Sequence, residues 1–276
     1  MTFVSLRPES LDYALCRYGT SKLLFRGPRQ LSQDPYIAFL GGIETYGRFV
    51  RSPFPSQIEE ALGRPCLNLG QVGAGVDVFL HDPFVAQVLK EAKVIVVQAM
   101  GVQGQSNAFY TVHPRRNDRI TALRPALHDL FDRADFTDVH YTRHLLESLC
   151  SLSSEGFTTV QAHLQAVWVK QMQSLLTQIA GVSIVLWINN HASRESPASE
   201  EPFFCRDPLF VRPGMIAKIA PYATEVLQVD ISSAARSAIA SGMIYGAAEE
   251  VEAAQLMNAQ AHEEVAQALL KYLKSM

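Results

Sequence analysis

The chain has 276 residues, of which 48% are hydrophobic and 18% are charged, and its formal net charge is −3. This size and composition are typical of one large α/β domain with a substantial core. A nearly neutral chain gives no electrostatic reason to expect a nucleic-acid or membrane partner. Residues 1–19 contain no long apolar run, and no stretch approaches the roughly 18 apolar residues of a membrane span. Four widely spaced cysteines without a CxxC pair favour reduced thiols, so we expect a cytoplasmic protein.

Five apolar runs alternate with stretches of helical character, which predicts a parallel sheet with helices on both faces. The predicted strands are 36–40, 65–69, 94–99, 182–188 and 225–231. The predicted helices are 56–62, 76–92, 158–180, 215–222 and 258–276. The other segments are interpreted as an N-terminal extension (1–34), an insertion after strand three (103–158) and a loop or lid (193–213). We therefore predict a single three-layer α/β/α domain over residues 1–276 with a five-stranded parallel sheet.

Polar or glycine-rich segments follow all five predicted strands, where ligands bind in such folds. They are GGIET at 41–45, GQVGAG at 70–75, MGVQGQSN at 100–107, NNH at 189–191 and DISS at 230–233. Glycines at strand ends let backbone N–H groups approach a ligand, and helix N-termini favour an anion or oxyanion. The alternative is that these glycines only form tight turns between strand and helix.

Four segments resemble the motif blocks of the SGNH/GDSL hydrolase superfamily. The nucleophile block aligns without gaps onto GGIETYG at 41–47, and the second block resembles NLGQVGAG at 68–75. The nearest counterpart of the third block is Asn107, and His262 in NAQAHEEVAQALL (258–270) resembles the last. The resemblance implies a flavodoxin-like, SGNH-like sheet and esterase or acyl-transfer activity on a polar or carbohydrate-like substrate.

The same resemblance implies roles for individual residues. The backbone amides of Gly42 and Gly73 and the side chain of Asn107 would hold an oxyanion, and His262 would be the base. The chain departs from the family at the nucleophile, because Ile43 occupies that position and isoleucine cannot attack a carbonyl.

The partner that orients the histidine is also missing, since Ala259 stands where the family has an aspartate. Asp230, at the end of strand five, would orient His262 only if the fold brings the two together. Thr45, Ser106 or a water molecule remain as substitute nucleophiles.

Two residues at strand exits are candidates for proton transfer. Glu44 follows strand one and would act as base or acid if burial raised its pKa, or would simply favour the first turn of a helix. His191 follows strand four and is a candidate substrate-binding residue.

The chain also resembles an uncharacterised bacterial family in the stretches 18–28, 42–47, 106–119 and 135–144. The third stretch contains Arg115, Arg116 and Arg119, which would clamp an anionic group or form local pairs with Asp118 in a solvated turn.

Metal and cofactor signals are weak. His140 and His144 stand four residues apart, but no third ligand accompanies them, and no GxGxxG or Walker A pattern is present. We therefore predict no metal and no cofactor.

Two main interpretations of function remain open, besides a transferase with a nucleotide-type donor, for which the strand-end glycines and the arginines are suited but which no GxGxxG or Walker A pattern supports. One is an SGNH-like enzyme acting on a small polar substrate with a non-standard nucleophile. The other is a non-catalytic protein that binds an anionic ligand or a partner, with the insertion as a surface for a homodimer.

Overall fold

The computed structural model describes residues 11–29, 35–132, 134–190 and 207–276. The strands are, in chain order, β1 (Ile37–Leu40), β2 (Cys66–Asn68), β3 (Val94–Gln98), β4 (Tyr110–His113), β5 (Arg116–Leu123), β6 (Val182–Asn189) and β7 (Glu225–Asp230). Five of them form an all-parallel sheet in the order β2-β1-β3-β6-β7. Numbered within this sheet alone, the order is 2-1-3-4-5, which is the flavodoxin-like arrangement. The predicted fold class is confirmed.

The helices flank this sheet and connect its strands. They are α1 (Ile43–Tyr46), α2 (Phe54–Leu62), α3 (Val76–Leu80), α4 (Pro83–Glu91), α5 (Pro125–Leu130), α6 (Thr142–Leu152), α7 (Ser154–Leu176), α8 (Pro213–Ile219), α9 (Ser233–Ser237), α10 (Glu250–Ala253) and α11 (Ala259–Leu273). In the part of the chain that the structure describes, no helix combines the length and apolarity needed to cross a membrane.

Alternation along the strands divides the core into two layers. In β1, Ala38 and Leu40 belong to one hydrophobic cluster and Ile37 and Phe39 to the other, as expected when successive side chains point to opposite faces. Both faces are covered, and accordingly all four residues of β1 and the first four of β3 are apolar. The buried polar residue of β3, Gln98, stands at the carboxyl end of the strand, where the candidate site lies.

The predicted helix 76–92 is two helices in the structure, which corrects that prediction. The first ends at Leu80, and Asp82 caps the second, since its carboxylate accepts the N–H groups of Phe84 (3.0 Å) and Val85 (3.1 Å). Pro83 occupies the first helical position, where its missing N–H costs nothing.

The insertion after β3 contains the antiparallel hairpin β4–β5 and the helices α5 and α6. The buried side chains Tyr110, Leu127 and Leu145 join it to one of the two core layers. The insertion is therefore part of the same packed structure as the sheet, and its hairpin reaches the carboxyl ends of the strands.

Arg26, in the N-terminal extension, fixes the backbone that follows α1. Its buried guanidinium donates to the carbonyl oxygens of Tyr46, Gly47, Val50 and Arg51. This single side chain holds the loop that leads from the strand-one exit into α2.

Candidate functional site

A cleft of about 270 Å³ with both polar and apolar lining residues opens at the carboxyl ends of β1, β3 and β6. This is the place where the strand order of the sheet reverses, and ligands bind at that point in open α/β sheets. The hairpin and the start of α6 form the opposite wall. Among the described residues that line the cleft, three are acidic (Glu44, Asp118 and Asp207) and one, Arg143, is basic.

Glu44 lies on the floor of this cleft, in the short helix α1. Its carboxylate accepts a hydrogen bond of 2.7 Å from Nε2 of Gln98. Burial raises the pKa of Glu44, and the nearby negative charge of Asp207 raises it further. The hydrogen bond from Gln98 and the charge of Arg143 act in the opposite direction. Glu44 is thus a carboxyl group that holds its proton to higher pH than an exposed glutamate.

The side-chain amide of Gln98 positions the carboxyl group of Glu44. Its Oε1 accepts from the N–H of Gly42 (3.0 Å), the N–H of Thr45 (3.3 Å) and the hydroxyl of Thr45 (2.6 Å). Two of these groups are backbone donors, so only the oxygen of the amide can face them. The NH₂ group must then point at Glu44. The amide is buried at the last residue of β3, and the strand fixes its position.

The same hydrogen bonds change the roles of two residues that the sequence singled out. The N–H of Gly42 and the hydroxyl of Thr45 are both directed at Gln98. Neither group is therefore available as an oxyanion donor or a nucleophile in this arrangement. The turn has no space for a larger residue, because a Cβ on Gly41 would lie 2.1 Å from Oγ1 of Thr45.

The far wall of the cleft carries two ion pairs. Arg143, on α6, contacts both carboxylate oxygens of Asp207 at 2.8 and 2.9 Å. Arg116 forms a two-point contact with Asp118 on β5 at 3.0 and 3.2 Å. Asp118 packs on Gly73, whose left-handed φ of +71° and lack of a side chain leave room for the carboxylate.

The predicted arginine clamp is a local pair in the structure. Arg116 is engaged by Asp118, and Arg115 is exposed at the tip of the hairpin, outside the described lining of the cleft. Instead, Arg143 supplies the positive charge of the cleft, and it comes from α6 within the same insertion.

His262 lies away from the cleft, in the contact between α11 and α2. It is 1% exposed, its ring stacks on Phe54, and its Nδ1 accepts the backbone N–H of Phe54 at 3.3 Å. Burial lowers the pKa of His262 to about 3, so the ring is neutral at physiological pH. Asp230 is exposed and bonds instead to Asn189 and Gln228. The structure therefore does not bring His262 together with Asp230 or Thr45.

Ser106 and Asn107 stabilise the loop that leads into the hairpin. Oδ1 of Asn107 accepts the N–H groups of Phe109 (2.8 Å) and Tyr110 (3.2 Å), and its Nδ2 donates to the carbonyl of Gln105. The hydroxyl of Ser106 accepts the N–H of Val112. Both side chains make hydrogen bonds within this loop, and neither lines the cleft.

His191 lies outside the described residues. His140 precedes α6, which begins at Thr142, so it does not share a helical face with His144. Within the described ranges, no three His, Cys, Asp or Glu residues are grouped in a way that could hold a metal ion.

Sequence reasoning found Glu44 but missed Gln98, Arg143 and Asp207. A polar residue at the end of a fully apolar strand is a local signal that could have identified Gln98. Asp207 has no such signal, because its link to Arg143 spans 64 residues of chain.

Fold and cleft together define a class of protein: a flavodoxin-like parallel α/β domain with a cleft at the reversal of strand order. Within that class, the chain belongs to the family described as "Domain of unknown function (DUF6473)", whose model matches residues 1–276. The predicted relation to an uncharacterised family is confirmed at this level. The resemblance to SGNH/GDSL hydrolases stays a prediction.

A comparison with curated proteins gave no match. Among solved structures, the crystal structure of a protein from Lactobacillus plantarum is similar with 14% identity and a TM-score of 0.39. The alignment covers 87% of this chain and 97% of that one. A likeness this weak carries no argument about function.

Proposed function

We propose that the protein is a hydrolase or acyl-transfer enzyme for a polar, carbohydrate-like substrate, with Glu44 as its general acid–base group. The observation that carries the proposal is the position of Glu44: its carboxyl group lies in the cleft at the strand-one exit and is held by Gln98. Carboxyl groups with a raised pKa in a cleft are frequent at catalytic sites, because proton transfer is most effective when the pKa lies near the working pH.

The proposed reaction uses water as the nucleophile. The ionised carboxylate of Glu44 takes a proton from a water molecule, whose oxygen attacks the acyl carbon of an ester. The C–O bond to the alcohol then breaks, and the protonated Glu44 returns the proton to the departing oxygen. In this mechanism Ile43, which stands at the nucleophile position of the SGNH/GDSL pattern, needs no chemical role.

The lining supports a ligand rich in hydroxyl groups. Carboxylates and carboxamides accept from hydroxyls, and the described lining adds the amides of Gln103, Asn190 and Gln255 to its three acids. Gln103 lines the cleft, and among the described residues its buried Oε1 has no hydrogen-bond partner. An excess of carboxylates over guanidinium groups disfavours an anionic group directly at Glu44.

Turnover of p-nitrophenyl esters and acetylated saccharides by wild type and Glu44→Gln tests this proposal. We expect the substitution to lower kcat by at least roughly 100-fold while the fold is retained, since general acid–base groups contribute factors of this size. Glu263→Gln is a matched control, because Glu263 is exposed on α11 and accepts a hydrogen bond from Gln267 of the same helix. Equal loss in the two variants, or full activity of Glu44→Gln, would refute the assignment of Glu44.

A second candidate function is binding without turnover. It is favoured by the described cleft lining, which contains no serine, cysteine or histidine and only the hydroxyls of Tyr141 and Thr142. Saturable binding of saccharides in calorimetry, combined with no turnover of any ester in the panel, would select this alternative.

A further inference from the structure

A second, larger chamber of about 660 Å³ adjoins the cleft. It lies between α6, α9 and the segment that joins α10 to α11. The two spaces share the ion pair of Arg143 with Asp207, and they share residues 255–257. The shared wall makes them one groove, with Glu44 at one end and α9 at the other.

Arg236, on α9, is the feature of this chamber that points to a ligand. It is half-buried, and its guanidinium donates to the backbone carbonyl of Ile231. In the described ranges, no carboxylate lies within ion-pair distance of it. The acids around it are engaged elsewhere: Glu252 pairs with Arg48 at 2.8 Å, and Asp207 pairs with Arg143.

The remaining charge in the chamber is Glu147, which is exposed on α6. The contact with the carbonyl of Ile231 uses one terminal nitrogen of the Arg236 guanidinium, and a guanidinium carries further N–H donors in a planar fork. A fixed fork of donors that lacks a carboxylate partner is suited to an oxyanion.

We propose that the groove binds an extended polyhydroxy ligand whose far end carries a carboxylate, sulfate or phosphate group on Arg236. The placement of the other end at Glu44 rests on the function proposed above. Such a ligand suits the charges of the groove, because its anionic group meets Arg236 on α9 and lies outside the part of the groove that Glu44 and Asp118 line.

Calorimetry with two matched pairs of probes tests the proposal: trehalose against trehalose 6-phosphate, and cellobiose against cellobiouronic acid. We expect the anionic member of at least one pair to bind about 10-fold tighter than the neutral member, the size of a hydrogen-bonded charge contact. Arg236→Gln should remove this difference, and Arg236→Lys should retain part of it. Inorganic phosphate alone should bind more weakly than the phosphorylated sugar and should also depend on Arg236.

Arg212→Gln is the control, since Arg212 is exposed at the start of α8 and outside the described groove lining. The proposal is overturned if no anionic probe binds better than its neutral partner, or if Arg236→Gln and Arg212→Gln bind alike. Glu44→Gln should leave the preference for the anion intact. The experiment therefore tests anion binding by Arg236 separately from the chemistry proposed for Glu44.

Discussion

Two ionisable groups with shifted pKa values, the half-buried Glu44 and the buried His262, lie in contrasting parts of this molecule. Each interacts with a distant segment: Glu44 with Gln98 across 54 residues, and His262 with Phe54 across 208. Burial shifts both pKa values toward the neutral form, up for the acid and down for the base. Glu44 lines the cleft, however, whereas the ring of His262 is enclosed by α2 and α11.

This difference shows that a shifted pKa does not by itself identify a functional site. His262 satisfies the first backbone N–H of α2, a group that has no partner within its own helix, so its role is to stabilise the packing of two helices. Glu44 has the same kind of shift together with access to a space where a ligand fits. A shifted pKa marks a candidate only when the group can also be reached.

The largest expected effect is a loss of folding stability at acid pH that is caused by His262. Its pKa falls from 6.5 to about 3 on folding, so the unfolded chain binds the proton first and stability decreases as the pH falls through this interval. The full loss is roughly 4 to 5 kcal/mol. Urea unfolding between pH 3.5 and 7 should show a steep slope for wild type and a shallower one for His262→Asn, whose Oδ1 keeps an acceptor for Phe54. Parallel slopes would contradict the buried neutral histidine.

A smaller effect is expected at Gln98. Replacement by leucine leaves the two N–H groups and the hydroxyl that it accepts without an acceptor, which should cost roughly 3 kcal/mol in the free energy of unfolding. Gln105→Leu is the comparison, because Gln105 is also buried but its side chain makes one hydrogen bond within the described residues, to the carbonyl of Leu164. If Gln105→Leu is the more destabilising variant, Gln98 does not organise the turn.

The smallest expected effect is the pH dependence of stability that is caused by Glu44, and its sign is opposite to that of His262. The pKa of Glu44 in the folded state is raised above its ordinary 4.5, so above pH 4.5 the folded state keeps a proton that the unfolded state loses. The free energy of unfolding of wild type therefore decreases as the pH rises above 4.5. Glu44→Gln should therefore become more stable relative to wild type on going from pH 4.5 to 8. Thermal unfolding at the two pH values measures this gain. If the stability of Glu44→Gln relative to wild type is instead greater at pH 4.5 than at pH 8, folding lowers the pKa of Glu44 and the prediction is wrong.

Local sequence patterns were sufficient to locate the main sheet. The predicted strands agree with the observed ones to within a residue at nearly every end, because strands buried on both faces need unbroken apolar runs. The helix 76–92 was predicted as continuous although Asp82 and Pro83 are a local signal for a cap and a new start.

The sequence by itself determined the fold class, the edge of the sheet where a site would form, and Glu44 as a member of it. Only the tertiary structure decided that Gln98 takes the donors of Gly42 and Thr45, that His262 lies in a helix contact, and that Asp207 reaches Arg143. Strand and helix patterns depend on neighbours a few residues apart, whereas these contacts join residues separated by 53 to 208 positions. Hydrogen bonds over such separations leave no periodic trace in the chain, since any polar residue at a suitable point in space can form them.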